Sequence, residues 1–177
     1  MEVEDRTVAA GPDVPVRIYR PHGARGAVVW LHGGGGVFGD LDTEHPWAAR
    51  VADLSGAVVI SVGYRLAPEH RFPAALDDAY AVLTWAAEHA AGLGIDPARI
   101  AVGGHSAGAN LAAAAALRAR DERGPAICFQ LLNQPGLDDE LDSSGTPQPH
   151  PVDDALSALH RQALCGTPNA VAESAAR

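Results

Sequence analysis

The strongest constraint on this 177-residue chain is the pentapeptide Gly104-His105-Ser106-Ala107-Gly108 together with its setting. The apolar run Arg99-Ile100-Ala101-Val102-Gly103 precedes it, and Ala109 to Arg120, nearly all strong helix formers, follows. A serine on a sharp turn from strand to helix needs costly backbone angles, and the residues two before and two after must be small for the turn to close. The turn delivers Ser106 to a helix N-terminus, where the dipole and free N–H groups favour developing negative charge. Strand, G-x-S-x-G and helix in that order is the setting in which such a serine is a nucleophile. The pentapeptide alone reads equally well as a glycine-rich turn holding a chance serine.

A second stretch decides between the two. Ala27-Val28-Val29-Trp30-Leu31 is an apolar run followed at once by His32-Gly33-Gly34-Gly35-Gly36. Such a run between turn signals fits a strand buried on both faces. Glycines at its end let backbone N–H groups approach a ligand closely, as in an oxyanion hole completed by the N–H after the nucleophile. Here the donors would be Gly34, Gly35 and Ala107, with Gly33 ranked behind them. A merely flexible glycine loop explains His32 to Gly36 less well once Ser106 is considered with it.

These motifs, with Phe38-Gly39-Asp40 after the glycines and Tyr64-Arg65-Leu66-Ala67-Pro68-Glu69-His70-Arg71-Phe72-Pro73-Ala74 further on, resemble the hormone-sensitive-lipase-like branch of the α/β-hydrolases. The resemblance runs from about Val16 to Pro135. It implies an α/β-hydrolase fold, carboxylic-ester hydrolysis through an acyl-enzyme on Ser106, and no cofactor. The chain departs from the family at His105, where Asp is usual, and at Ala109, where Gly is frequent.

The rest of the chain fits an α/β architecture. Two short strands are expected over residues 2–20 with a turn at Pro12-Asp13, then strands at 27–31, 57–62, 99–103 and 127–132. Between them, helices are expected from Trp47 to Leu54 and from Phe72 to Ala91, the latter with Asp77 and Asp78 on its wet side. Asp96-Pro97 is a start signal for a single helical turn. Strands alternating with helices imply a doubly wound, mostly parallel sheet. Residues 1–135 would form this core with six strands. Residues 136–177 would form a long loop and one amphipathic helix, 151–166, resembling the start of a cap insertion.

The expected sheet is incomplete, because the family continues through two more strands. That would leave 127–132 as an uncovered edge able to pair with another chain. It also bears on the chemistry. A serine nucleophile needs a base and a carboxylate to orient it, in the order Ser, Asp or Glu, His. After Ser106 the chain has two histidines, His150 and His160. Asp138, Asp139, Asp142, Asp153 and Asp154 are the nearby acids. Asp153 or Asp154 with His160 has the right order but lies within one expected helix, so the family's Asp and His read as missing from this chain.

Composition excludes several other functions. The net charge is −9, and all 13 basic residues are Arg, which argues against nucleic acid or an anionic membrane as partner. No stretch approaches the ~18 consecutive apolar residues of a membrane span. The N-terminus lacks a signal-peptide pattern, which makes the cytoplasm the expected location. Cys128 and Cys165 suggest neither a disulfide framework nor a zinc site, and no histidine, cysteine and carboxylate group has metal-ligand spacing. His32 is expected to fix the glycine loop by hydrogen bonds and His105 to be structural or substrate-facing. Asp40, Glu69, His70 and Asn110 should hold loops, while His45 and His89 look like solvated surface residues. Two functions remain open: an esterase acting on a small-molecule ester, and a non-catalytic relative that binds a small molecule in the same pocket.

Overall fold

A computed structural model of the chain describes residues 1–135 and 170–172. In chain order the elements are β1 (Glu2–Val8), β2 (Val14–Arg20), β3 (Ala27–Leu31), α1 (His45–Ser55), β4 (Val58–Val62), α2 (Ala74–Glu88), the one-turn α3 (Ala90–Leu93), a 3-10 turn (Pro97–Arg99), β5 (Ile100–His105), α4 (Ala107–Asp121), β6 (Phe129–Asn133) and β7 (Ala170–Ala172). The strands make one sheet in the order β1-β2-β4-β3-β5-β6-β7. β1 and β2 pair antiparallel, as do β2 and β4, and every later neighbouring pair is parallel.

Alternation along each strand feeds two cores. Val28 and Trp30 of β3 pack with Val59, Ala101 and Phe129 against Ala48, Val51 and Ala52 of α1. Val29 and Leu31 point the other way, joining Ile60 and Val102 against Val82, Leu83 and Ala86 of α2 and Ala112 of α4. Every residue of β3 and β4 is buried, which is why these segments read as unbroken apolar runs rather than alternating ones. The chain leaves β3 for β4 on one side and later returns to β5 on the other. β3 and β5 therefore flank the topological switch point, and the crevice beyond their carboxyl ends is where an open parallel sheet binds ligands.

Three expectations are corrected. Asp78 is not on a wet face: it is 2% exposed, and its carboxylate accepts from the Arg65 backbone N–H at 2.8 Å and from the Arg65 guanidinium. The helix expected from Phe72 starts at Ala74 and breaks at His89. Pro73 holds the N-cap, and a residue before proline is disfavoured in the helical region, so Phe72 stays outside. Third, β6 is not left uncovered, because Ala170–Ala172 pairs with Phe129–Leu131. Asp96 does cap the 3-10 turn, its carboxylate accepting from the Ala98 N–H at 2.9 Å. The loop and helix expected between residues 136 and 169 lie outside the described residues.

Candidate active site

Ser106 stands where β5 turns into α4, at φ 53° and ψ −118°, a conformation non-glycine residues seldom adopt. The turn is closed by contact with β3. A Cβ on Gly104 would lie 2.6 Å from the Leu31 carbonyl oxygen and 2.5 Å from that of Gly108. A Cβ on Gly108 would overlap the carbonyl oxygens of both Leu31 and His32. The two glycines are thus required because the first turn of α4 crosses directly over the end of β3.

The glycine loop begins at that same crossing. Gly34, at φ +115°, folds the loop back, and its carbonyl accepts from the N–H groups of Val37 at 3.1 Å and Phe38 at 3.2 Å. The Gly36 carbonyl accepts from the Ala67 N–H at 2.9 Å, tying the loop to the segment that Asp78 anchors. Among the described residues, the N–H groups of Gly34, Gly35 and Ala107 donate to no acceptor.

Gly35, Ser106 and Ala107 line one cavity of about 450 Å³, walled also by Phe72, Leu76 and Leu111. Gly34 shapes the loop without lining that cavity. Arg65, His70 and Asn110 supply its polar side chains, His70 from the loop before α2 and Asn110, expected to hold a loop, from the first turn of α4. Among the described residues, the Ser106 hydroxyl has no hydrogen-bond partner. Asp138, Asp139, Asp142, His150, Asp153, Asp154 and His160 lie outside the described residues.

The remaining histidines sort by surroundings. His32 is 1% exposed, stacks on Tyr64 at 4.0 Å, and places Nδ1 2.7 Å from the Gly33 carbonyl, fixing the loop as expected. Nδ1 therefore carries the proton, and the buried Nε2 has no partner among the described residues. Burial holds this imidazole below the usual histidine range. The His105 ring stacks on Trp47 at 5.7 Å. His45 is exposed yet accepts or donates with the Tyr19 hydroxyl at 2.9 Å, and exposed His89 stacks on Trp85. Asp40 caps the turn after the glycine loop, accepting from the Thr43 N–H at 2.7 Å, and that bond holds its carboxyl below the usual range.

Sequence reasoning passed over Glu44. It is 6% exposed, accepts from the Trp30 indole N–H at 2.7 Å, and burial pushes its carboxyl above the usual carboxylate range. One signal pointed to such a residue: an indole N–H in a fully buried strand must find an acceptor. Among the described residues there is no group of three or more potential metal ligands. No described helix is long and apolar enough to cross a membrane.

The chain is 50% identical over 140 residues to the carboxylesterase NlhH of Mycobacterium tuberculosis, a match covering 76% of this chain and 44% of that protein. It is 45% identical over 161 residues to the esterase LipI of the same organism, covering 86% and 50%. The crystal structure of the esterase LipW from Mycobacterium marinum superposes with a TM-score of 0.75 at 46% identity, covering 95% of this chain and 56% of that one. The chain thus spans about half the length of these relatives. The family model described as the alpha/beta hydrolase fold matches residues 28–172. By sheet order, strained serine turn and this match alike, the chain belongs to the α/β-hydrolase fold family.

Proposed function

We propose that the chain carries the nucleophile and oxyanion hole of a serine carboxylic-ester hydrolase. The observation that carries this is the shared cavity: the Ser106 hydroxyl opens into it beside the undirected N–H groups of Gly35 and Ala107. The names of its relatives, carboxylesterase and esterase, support the same chemistry.

In this reading the Ser106 Oγ attacks the ester carbonyl carbon and passes its proton to a base. The C–O bond to the alcohol then breaks, and that proton goes to the departing alkoxide. Water hydrolyses the resulting acyl-enzyme by the same route in reverse. Negative charge on the carbonyl oxygen is held by the Ala107 N–H at the start of α4 and by the loop N–H of Gly35, both of which line the cavity with Ser106. Each such donor is worth about 3–4 kcal/mol of transition-state stabilisation. The base and its carboxylate come from outside the described residues.

The Ser106 hydroxyl, without a partner among the described residues, also suits a second reading, a protein that binds a small molecule in this cavity without turnover. A fluorophosphonate probe separates them, because it reacts only with an activated serine. Labelling at Ser106 supports the hydrolase. Ligand binding with no labelling supports the binder.

A further inference from the structure

The Ser106 cavity differs in charge from the chain around it. The sequence carries 22 acidic residues against 13 arginines. Among the described residues, those lining the cavity include one arginine, Arg65, and no carboxylate. The two acids in the first half of α2 are engaged elsewhere: Asp77 pairs with Arg118, and Asp78, which does not line the cavity, pairs with Arg65.

The Arg65 guanidinium is divided between two surroundings. Its Nε donates to the Asp78 oxygens at 3.1 and 2.9 Å, and its Nη2 donates to Oδ1 at 2.8 Å. Nη2 also reaches the Ala74 carbonyl at 3.4 Å. The edge facing Asp78 is thereby used. Nη1, on the opposite edge, carries two N–H groups that meet no acceptor among the described residues. The Asp78 side chain is 3% exposed and that of Arg65 27%, so the edge open to the cavity is the one turned away from Asp78. The pair is a dipole with its negative end in the fold and its positive end at the cavity.

We infer that this cavity selects esters carrying a second, anionic group, a carboxylate remote from the scissile carbonyl, and that Arg65 Nη1 binds it. The inference rests on the hydrolase reading of Ser106. A half ester of a short aliphatic dicarboxylic acid has this form. With its ester carbonyl at Ser106, its methylenes lie along Phe72, Leu76 and Leu111, and its carboxylate meets Nη1 beside His70. Charge-assisted bonds are the stronger class, and a neutral ester of the same length leaves Nη1 without an acceptor. The net charge of −9 acts against an anion only at long range, where salt screens it beyond about 8 Å at physiological ionic strength. Contact with Nη1 therefore decides. Hydrolysis puts the hydroxyl of water on the acyl carbon and a proton on the departing alkoxide, so the half ester yields the dicarboxylic acid and the alcohol with no other reactant.

Monoethyl succinate, glutarate and adipate, each compared with the neutral amide that replaces its carboxylate, test this on the full chain. The three lengths bracket the span from Ser106 to Nη1. For at least one length, kcat/KM should favour the half ester by about tenfold or more, the worth of one charge-assisted bond. Arg65→Met alone would strand Asp78 as a buried unpaired charge, so the variant is Arg65→Met with Asp78→Asn, which removes both charges together. There the preference should disappear. Should that protein fail to fold, Arg65→Lys serves, because its ammonium stays with Asp78 and cannot also present an outer edge. Equal kcat/KM for half ester and amide at all three lengths in an active parent, or a preference that survives in the folded variant, would overturn the proposal. Binding gives a readout that needs no turnover. In Ser106→Ala, a half ester should shift the amide signals of Gly35, Ala67 and Ala107 at concentrations where its amide leaves them in place. Equal shifts from both would also overturn it. Should Ser106 prove unreactive toward every ester, the hydrolase reading fails, and this titration alone decides whether Arg65 holds a carboxylate.

Discussion

The backbone N–H of Ser106 donates to the Asn133 carbonyl at 2.9 Å, so the nucleophile's turn is fastened to the end of β6 as well as to its own helix. Positive-φ backbone of this kind persists only where the surroundings over-determine it, and here three strands do so. β3 supplies the carbonyls under Gly108, β5 supplies the turn itself, and β6 supplies the acceptor.

That strain gives a paired prediction. Ser106→Ala and Ser106→Gly should both abolish ester hydrolysis, with losses on the order of 10⁶ in kcat for a triad nucleophile. They should differ in stability, because glycine adopts φ 53° freely and alanine does not. Urea unfolding should place Ser106→Gly about 1 kcal/mol above Ser106→Ala.

Gly108→Ala tests the crossing of α4 over β3. Its new methyl overlaps the carbonyls of Leu31 and His32, which are backbone atoms that cannot rotate away. Overpacking of this sort costs about 1–3 kcal/mol. The expected result is a lower urea midpoint at an unchanged slope, together with impaired turnover as Ala107 is pushed off line. A variant as stable as the parent would mean that α4 shifts without cost.

Asp78→Asn tests the anchor behind the cavity. The carboxylate is buried while Arg65 is partly exposed, so the full 3–5 kcal/mol of breaking a buried pair should be discounted for solvent, to about 2 kcal/mol. The segment bearing Ala67 and His70 should loosen, raising KM more than it lowers kcat. Amide exchange at Ala67, whose N–H reaches the Gly36 carbonyl, reports this directly.

The contrast between these residues shows what the sequence could reveal. Gly104, Ser106 and Gly108 were legible because the constraint is local: a tight strand-to-helix turn admits little else. The apolar runs at 27–31 and 58–62 were legible because burial on both faces removes alternation. Asp78 was not, since Asp77 and Asp78 stand 100° apart on α2 and only the placement of Arg65 decides which turns inward. Glu44 was hidden for the same reason, its partner, the Trp30 indole, lying on β3. The expected bare edge at β6 failed because its partner is a three-residue strand in an otherwise weakly patterned segment.

His32 gives the pH dependence. Burial lowers its folded value below the ordinary 6.5, so the neutral ring is favoured in the fold. Its stabilising contribution is present above the unfolded value and is lost as pH falls toward the folded one. Urea midpoints should therefore decline below about pH 6.5, and His32→Gln should flatten that decline. An equal slope in the variant would assign the dependence to another group.

The central claim is that Ser106 becomes acylated. Trypsin cleaves after Arg99 and Arg118, so the serine travels in the single peptide 100–118. The full chain, mixed with p-nitrophenyl acetate, quenched in acid and digested, should yield that peptide carrying one acetyl group on Ser106. The Ser106→Ala protein should yield it bare. Release of p-nitrophenol with peptide 100–118 unmodified at every quench time, or equal release by Ser106→Ala, would contradict the account.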